Sequence, residues 1–81
     1  MKQLDRYLVE HKSDLPEICE ELLDEYGSDY EDEPRVYFYY NVSTNQVLPS
    51  LRHHEEQTVA IWHQATKTME MLKGKGETVV I

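Results

Sequence analysis

Between Leu15 and Tyr26, apolar side chains recur every three or four residues, and most of the intervening positions carry carboxylates. At about 100° per residue, Leu15, Ile18, Cys19, Leu22, Leu23 and Tyr26 fall on one arc, and Glu17, Glu20, Glu21, Asp24 and Glu25 fall on the opposite one. This pattern predicts a helix over 15–26 with one face against a core. Asp14 is placed to cap it, with Glu17 three residues on to complete a capping box. Pro16 falls in the first turn, where its missing N–H is least needed, and Gly27 is the natural stop.

The same stretch dominates the charge. The chain has 81 residues and a net charge of −8, with 16 acids and 8 Lys or Arg. Ten of the acids lie in residues 13–34, which contain no Lys or Arg: Asp14, Glu17, Glu20, Glu21, Asp24, Glu25, Asp29, Glu31, Asp32 and Glu33. The remaining acids are outnumbered by the bases. A field of this kind repels nucleic acid and anionic lipid and attracts basic partners.

The rest reads as short elements. Leu4, Tyr7 and Leu8 share a stripe that predicts a helix over 2–12. Residues 28–34 form a polar linker ended by Pro34. Residues 35–42 alternate as a strand, with Val36, Phe38, Tyr40 and Val42 on one side and Arg35, Tyr37, Tyr39 and Asn41 on the other. Ser43-Thr44-Asn45 is a turn, and Gln46 to Leu48 a short returning strand, because Pro49 cannot donate to a ladder. Over 54–73 the spacing of Ile61, Trp62, Ala65, Met69 and Leu72 predicts a long helix with Ala60 and Met71 on its outer side, where an exposed methionine would suit contact with a second copy. Gly74-Lys75-Gly76 ends that helix, and residues 77–81 have strand composition. The expectation is one α+β domain over 1–81, in the order α-α-β-β-α-β, with a three-stranded sheet packed against helices. A chain this size buries roughly 60–65% of its unfolded surface, enough for a modest core but little for a deep pocket. With no membrane-length apolar run, no apolar stretch behind the N-terminus and a single cysteine, the expected setting is the cytoplasm. The glycosylation-type triplet Asn41-Val42-Ser43 carries no weight without a signal sequence.

The candidate sites each have a plainer reading. An exposed helix face is usually just solvated, but such faces normally mix signs. Here Glu17/Glu21, Glu20/Asp24 and Glu21/Glu25 are like-charge pairs at i, i+4, each mildly destabilising. Tyr37 and Tyr39 suit a binding face if helices cover only the other side of the sheet, and belong to the core if they do not; Tyr30 joins them from the linker. His53, His54 and His63 do not have zincin spacing, since Thr58 stands where a second histidine would be required. Asp29 to Pro34 lacks the ligand spacing of a calcium loop. Cys19 sits on the apolar arc as a structural thiol, its pKa raised rather than lowered by neighbouring acids. No nucleophile–base–orienter set can be assembled, so no enzyme activity, cofactor or metal is expected.

The combination of acids on a helix with nearby tyrosines is similar in kind to small nuclease-immunity proteins and to viral DNA-mimic inhibitors. No motif matches a signature of either, and the expected strands do not suit the all-helical immunity proteins. The resulting expectation is a protein that inhibits or regulates a basic, nucleic-acid-handling partner without touching nucleic acid or membrane itself. Glu17, Glu20, Glu21, Asp24, Glu25, Asp29, Tyr30, Glu31, Asp32, Glu33, Tyr37 and Tyr39 would form its contact surface. The alternative is an assembly subunit that forms homo-oligomers, such as a homodimer, through its sheet or tyrosine face.

Overall fold

The computed structural model describes residues 2–73 and 78–80, with side chains described for 3–73. Two helices, α1 (Lys2–Glu10) and α2 (Leu15–Tyr26), precede an antiparallel sheet. Four strands form its body: β1 (Arg35–Asn41), β2 (Gln46–Ser50), β3 (Thr58–His63) and β4 (Thr68–Met71), in the spatial order β2-β1-β3-β4. Thr78–Val80 pairs outside β4 as β5. The α+β class and both N-terminal helices agree with the sequence reading. The helix expected over 54–73 is replaced by β3, β4 and their turn, so the expected order and the three-stranded sheet are both corrected. Gly74-Lys75-Gly76 and residues 77 and 81 lie outside the described residues.

Period two rather than 3.6 governs this second half. Ala60 and Trp62 of β3 pair with Met71 and Met69 of β4, and all four are buried. Ile61, His63, Thr68 and Glu70 turn to the other face. Ala60 and Met71, expected outside a helix, are therefore core residues, and Leu72, expected inside, is exposed. The β-branched residues Thr58, Val59, Ile61, Thr66 and Thr68 favour this outcome, because each loses side-chain freedom in a helix and fits a pleated surface. One irregularity interrupts the pairing. Phe38 faces Ala60 but Tyr39 faces Thr58, which leaves Val59 as the extra residue of a bulge.

β2 runs through Pro49 to Ser50, two residues beyond the expected end. Its position at the edge of the sheet explains this, since an edge strand has a side on which no ladder partner is needed. The N-terminus of α2 also differs in detail. The Asp14 side chain makes no capping hydrogen bond. Backbone bonds close the turn instead: the N–H groups of Asp14 and Leu15 donate to the His11 carbonyl at 3.0 and 2.9 Å. Gly27 follows α2 in the right-handed region, at φ −57°, and the chain continues into a single 3-10 turn, Gly27–Tyr30.

The core lies between the helices and one face of the sheet. Leu4, Tyr7, Leu15 and Cys19 come from the helices; Val36, Phe38, Tyr40, Val47, Trp62 and Met69 come from the strands. The rings of Tyr7 and Tyr40 meet at 5.0 Å. Both helices therefore cover the face that carries Val36, Phe38 and Tyr40. Tyr37 and Tyr39 occupy the opposite face and are half-buried.

Candidate functional site

The helix period and the strand alternation sort the expected contact residues onto two sides of the molecule. On the first side, Glu17, Glu21, Asp24 and Glu25 are exposed and Glu20 is half-exposed along the outer surface of α2. Asp29, Glu31 and Asp32 extend this surface through the linker, with Glu33 half-buried. Among the described side chains none of these carboxylates forms an ion pair; the single pair there is His63 Nε2 with Glu70 Oε1, at 2.8 Å on the sheet. The like-charge rows are therefore not offset by the chain's own described bases. Tyr30 does not project from the linker but packs against the core.

On the second side, the face turned away from the helices, aromatic rings stack in pairs. Tyr37 lies against His53 with ring centroids 5.0 Å apart and 15° between planes, and Tyr39 against His54 at 3.8 Å and 14°. The segment between β2 and β3 supplies both imidazoles. His54 is held from both ends: its backbone N–H donates to Thr58 Oγ1 at 3.0 Å, and its Nε2 lies 3.2 Å from Ser50 Oγ. Burial, and then the positive charges of Arg52 and His53, lower the His54 pKa below its ordinary value. The structure thus groups the carboxylates with one another and the two tyrosines with histidines. It does not bring those carboxylates and Tyr37 or Tyr39 onto one surface.

The link between the linker and the sheet runs through Gln64, in the β3–β4 turn, a residue that no sequence pattern singles out. Its side-chain N–H donates to the Glu31 carbonyl at 2.9 Å, and its backbone N–H to the Pro34 carbonyl at 3.0 Å. Its Oε1 accepts from Trp62 Nε1 at 3.1 Å and Lys67 Nζ at 2.8 Å. Gln64 thereby fixes the backbone of the acidic linker to the second hairpin. No periodicity or motif could signal this, because the segment reads as helix and the contact spans 33 positions.

Other chemistry is sparse. Cys19 is fully buried, and burial followed by the charge of Glu20 pushes its thiol up to about 12, far from a reactive thiolate. Among the described residues, no three of His, Cys, Asp and Glu converge to hold a metal ion. No helix among them is long and apolar enough to cross a membrane. Comparisons with protein-family models, with curated proteins and with solved structures found no match.

Proposed function

We propose that this chain is a cytoplasmic binding protein that inhibits or regulates a basic, nucleic-acid-handling protein by presenting carboxylates where that protein would hold phosphates. The observation that carries this reading is the row of exposed carboxylates on α2 and the linker, without a cationic partner among the described side chains. Each like-charge i, i+4 pair disfavours the helix by roughly 0.2–0.5 kcal/mol. That is a standing penalty which a cationic partner would relieve. Duplex DNA presents about one charge per 1.7 Å of axis, and a row of carboxylates along a helix and linker approaches a short stretch of that density. Association driven this way is fast and weakens with salt.

The test is charge reversal. A variant with Glu20, Glu21, Asp24 and Glu25 all changed to Lys should keep its far-UV circular dichroism. It should fail to retain the nucleic-acid-binding proteins that the unmodified chain captures from host lysate at low salt, and added duplex DNA should compete with that capture. Equal retention by both proteins would reduce the acids to a solubilising surface.

A second reading rests on the open sheet face. Among the described residues no helix covers Tyr37 and Tyr39, and Leu51 and Leu72 are exposed, a surface suited to homo-oligomers. Sedimentation separates the two: a concentration-dependent mass abolished by Tyr37→Asp would favour self-assembly, and a constant monomer mass would remove it.

A further inference from the structure

The carboxylates of α2 are not spread over a flat surface. Two hollows of about 430 and 410 Å³ lie along one flank of the helix and share His11, Ile18 and Glu21, so they form one trough. Between α2 and the β1–β2 hairpin its floor is apolar: the Tyr7 ring, Ile18, Leu22 and Val47. Its rim is acidic, with Asp14, Glu17, Glu21 and Glu25 following one another at helical spacing. Among the described residues no lysine or arginine lines either hollow. Ile18 and Leu22 are only half-buried, so part of the apolar arc that the sequence assigned to the core faces this trough instead.

We infer that this trough seats one amphipathic, lysine- or arginine-rich helix of a protein partner. The inference rests on the acidic-surface reading above and narrows it to one flank of α2. An apolar floor under a one-signed rim matches an occupant with an apolar stripe and cations beside it. Rim charges at i, i+4 spacing are met by cations at the same spacing on an apposed helix. Nucleic acid fits neither feature, being anionic and without an apolar stripe. The described helices of a second copy do not supply such an occupant either: α1 turns Leu4 and Tyr7 into its own core, and α2 carries no base. Glu20 and Asp24 line neither hollow. They contribute to the overall field but not to the seat.

The probe is a synthetic leucine–lysine peptide with its leucines on one helical face, compared by isothermal titration with a control of the same composition whose leucines are scattered. The amphipathic peptide should bind the intact chain at least about tenfold more tightly than the control. Glu21→Gln with Glu25→Gln should weaken that binding about tenfold, whereas Glu20→Gln with Asp24→Asn, which removes the same charge, should weaken it no more than about twofold. Amide shift changes in the unmodified chain should concentrate at residues 11–26 and 45–48, a readout independent of any variant's folding. Equal binding of both peptides, or equal weakening by both pairs of substitutions, would overturn the trough and leave the acidic surface as a diffuse attractor. Failure of both peptides to bind would overturn both readings.

Discussion

The hairpin β1–β2 and the hairpin β3–β4 have the same frame. Asn41 pairs with Gln46 and His63 with Thr68, so each closes over four residues. In each, the last loop residue is left-handed: Asn45 at φ 55° and Lys67 at φ 55°. In each, one core aromatic ties its polar atom to its own loop. Tyr40 donates its hydroxyl to Asn45 Oδ1, and Trp62 donates its indole N–H to Gln64 Oε1. They differ in what the loops hold. The first loop closes on itself, with Asn41 Oδ1 accepting the Ser43 N–H at 2.9 Å. The second reaches out through Gln64 and holds the acidic linker. One frame thus serves as a self-contained turn and as a clamp, and the clamp sets where Glu31 and its neighbours stand relative to the sheet.

The largest effect should come from the aromatic of the clamp. Trp62 faces Val36 on one side and Met69 on the other, and its indole supports Gln64. Trp62→Ala should destabilise the chain by about 3–5 kcal/mol, read from urea unfolding. Tyr40→Phe, which keeps the ring and removes only the loop bond, should cost about 1 kcal/mol. A Trp62→Ala loss as small as that of Tyr40→Phe would mean that the second hairpin is peripheral.

The two hairpins also show what the sequence could and could not reveal. The first was legible because Arg35 to Asn41 alternates cleanly and Asn45 is a residue type that favours turns. The second has neither cue. Its turn, Gln64-Ala65-Thr66-Lys67, contains no Gly, Asn, Asp or Pro, and lysine is an unusual occupant of a left-handed position. With the turn hidden, Ile61, Trp62, Ala65 and Met69 happen to match a helical spacing, and the β-branched residues between them were the available counter-signal. The acidic face of α2 was legible because it lies within one helix. Its trough was not, since Val47 and Tyr7 reach it only through the tertiary fold. The stacking of Tyr37 and Tyr39 on histidines was hidden for the same reason.

Gln64→Ala should have the next largest effect. It leaves the Trp62 and Lys67 donors without their shared acceptor and frees the Glu31 carbonyl. A loss of roughly 1–2 kcal/mol is expected, with faster amide exchange at residues 31–34 and in the β3–β4 loop. Asn41→Ala, which opens the self-contained loop, should leave residues 31–34 as protected as before. If both substitutions loosen the linker alike, Gln64 is not a clamp.

The left-handed residues sharpen the comparison further, because the equivalent substitutions should differ in sign. A non-glycine residue in that region is strained by roughly 1–2 kcal/mol, and glycine removes the strain but adds freedom to the unfolded chain. Lys67→Gly should therefore stabilise by roughly 0.5 kcal/mol even after losing the bond to Gln64. Asn45 tolerates the conformation better and accepts from Tyr40, so Asn45→Gly should destabilise by about 1 kcal/mol. Thermal melts of the two variants decide it: shifts of the same sign would show that the two left-handed positions behave alike and would overturn the contrast.

The smallest effect separates the outward faces of the two hairpins by pH. On β1, Tyr39 stacks on one face of the His54 imidazole, whose pKa is lowered, by burial first and then by Arg52 and His53. On β3, His63 pairs with Glu70 and has no such cover. A lowered pKa in the folded chain means that folding prefers neutral His54. Its contribution is therefore complete above the ordinary value near 6.5 and is lost as the pH falls through the lower folded value. Because the ring is partly exposed, solvent screens the charge contributions and the stability change should be slight. The titration itself is measurable from the His54 ring resonance. Tyr39→Ala should move the midpoint up towards the ordinary value, and by more than Arg52→Ala does, because burial is the larger cause. If Arg52→Ala restores the ordinary value and Tyr39→Ala leaves the midpoint where it is, charge and not the stacked ring sets the proton affinity of this face.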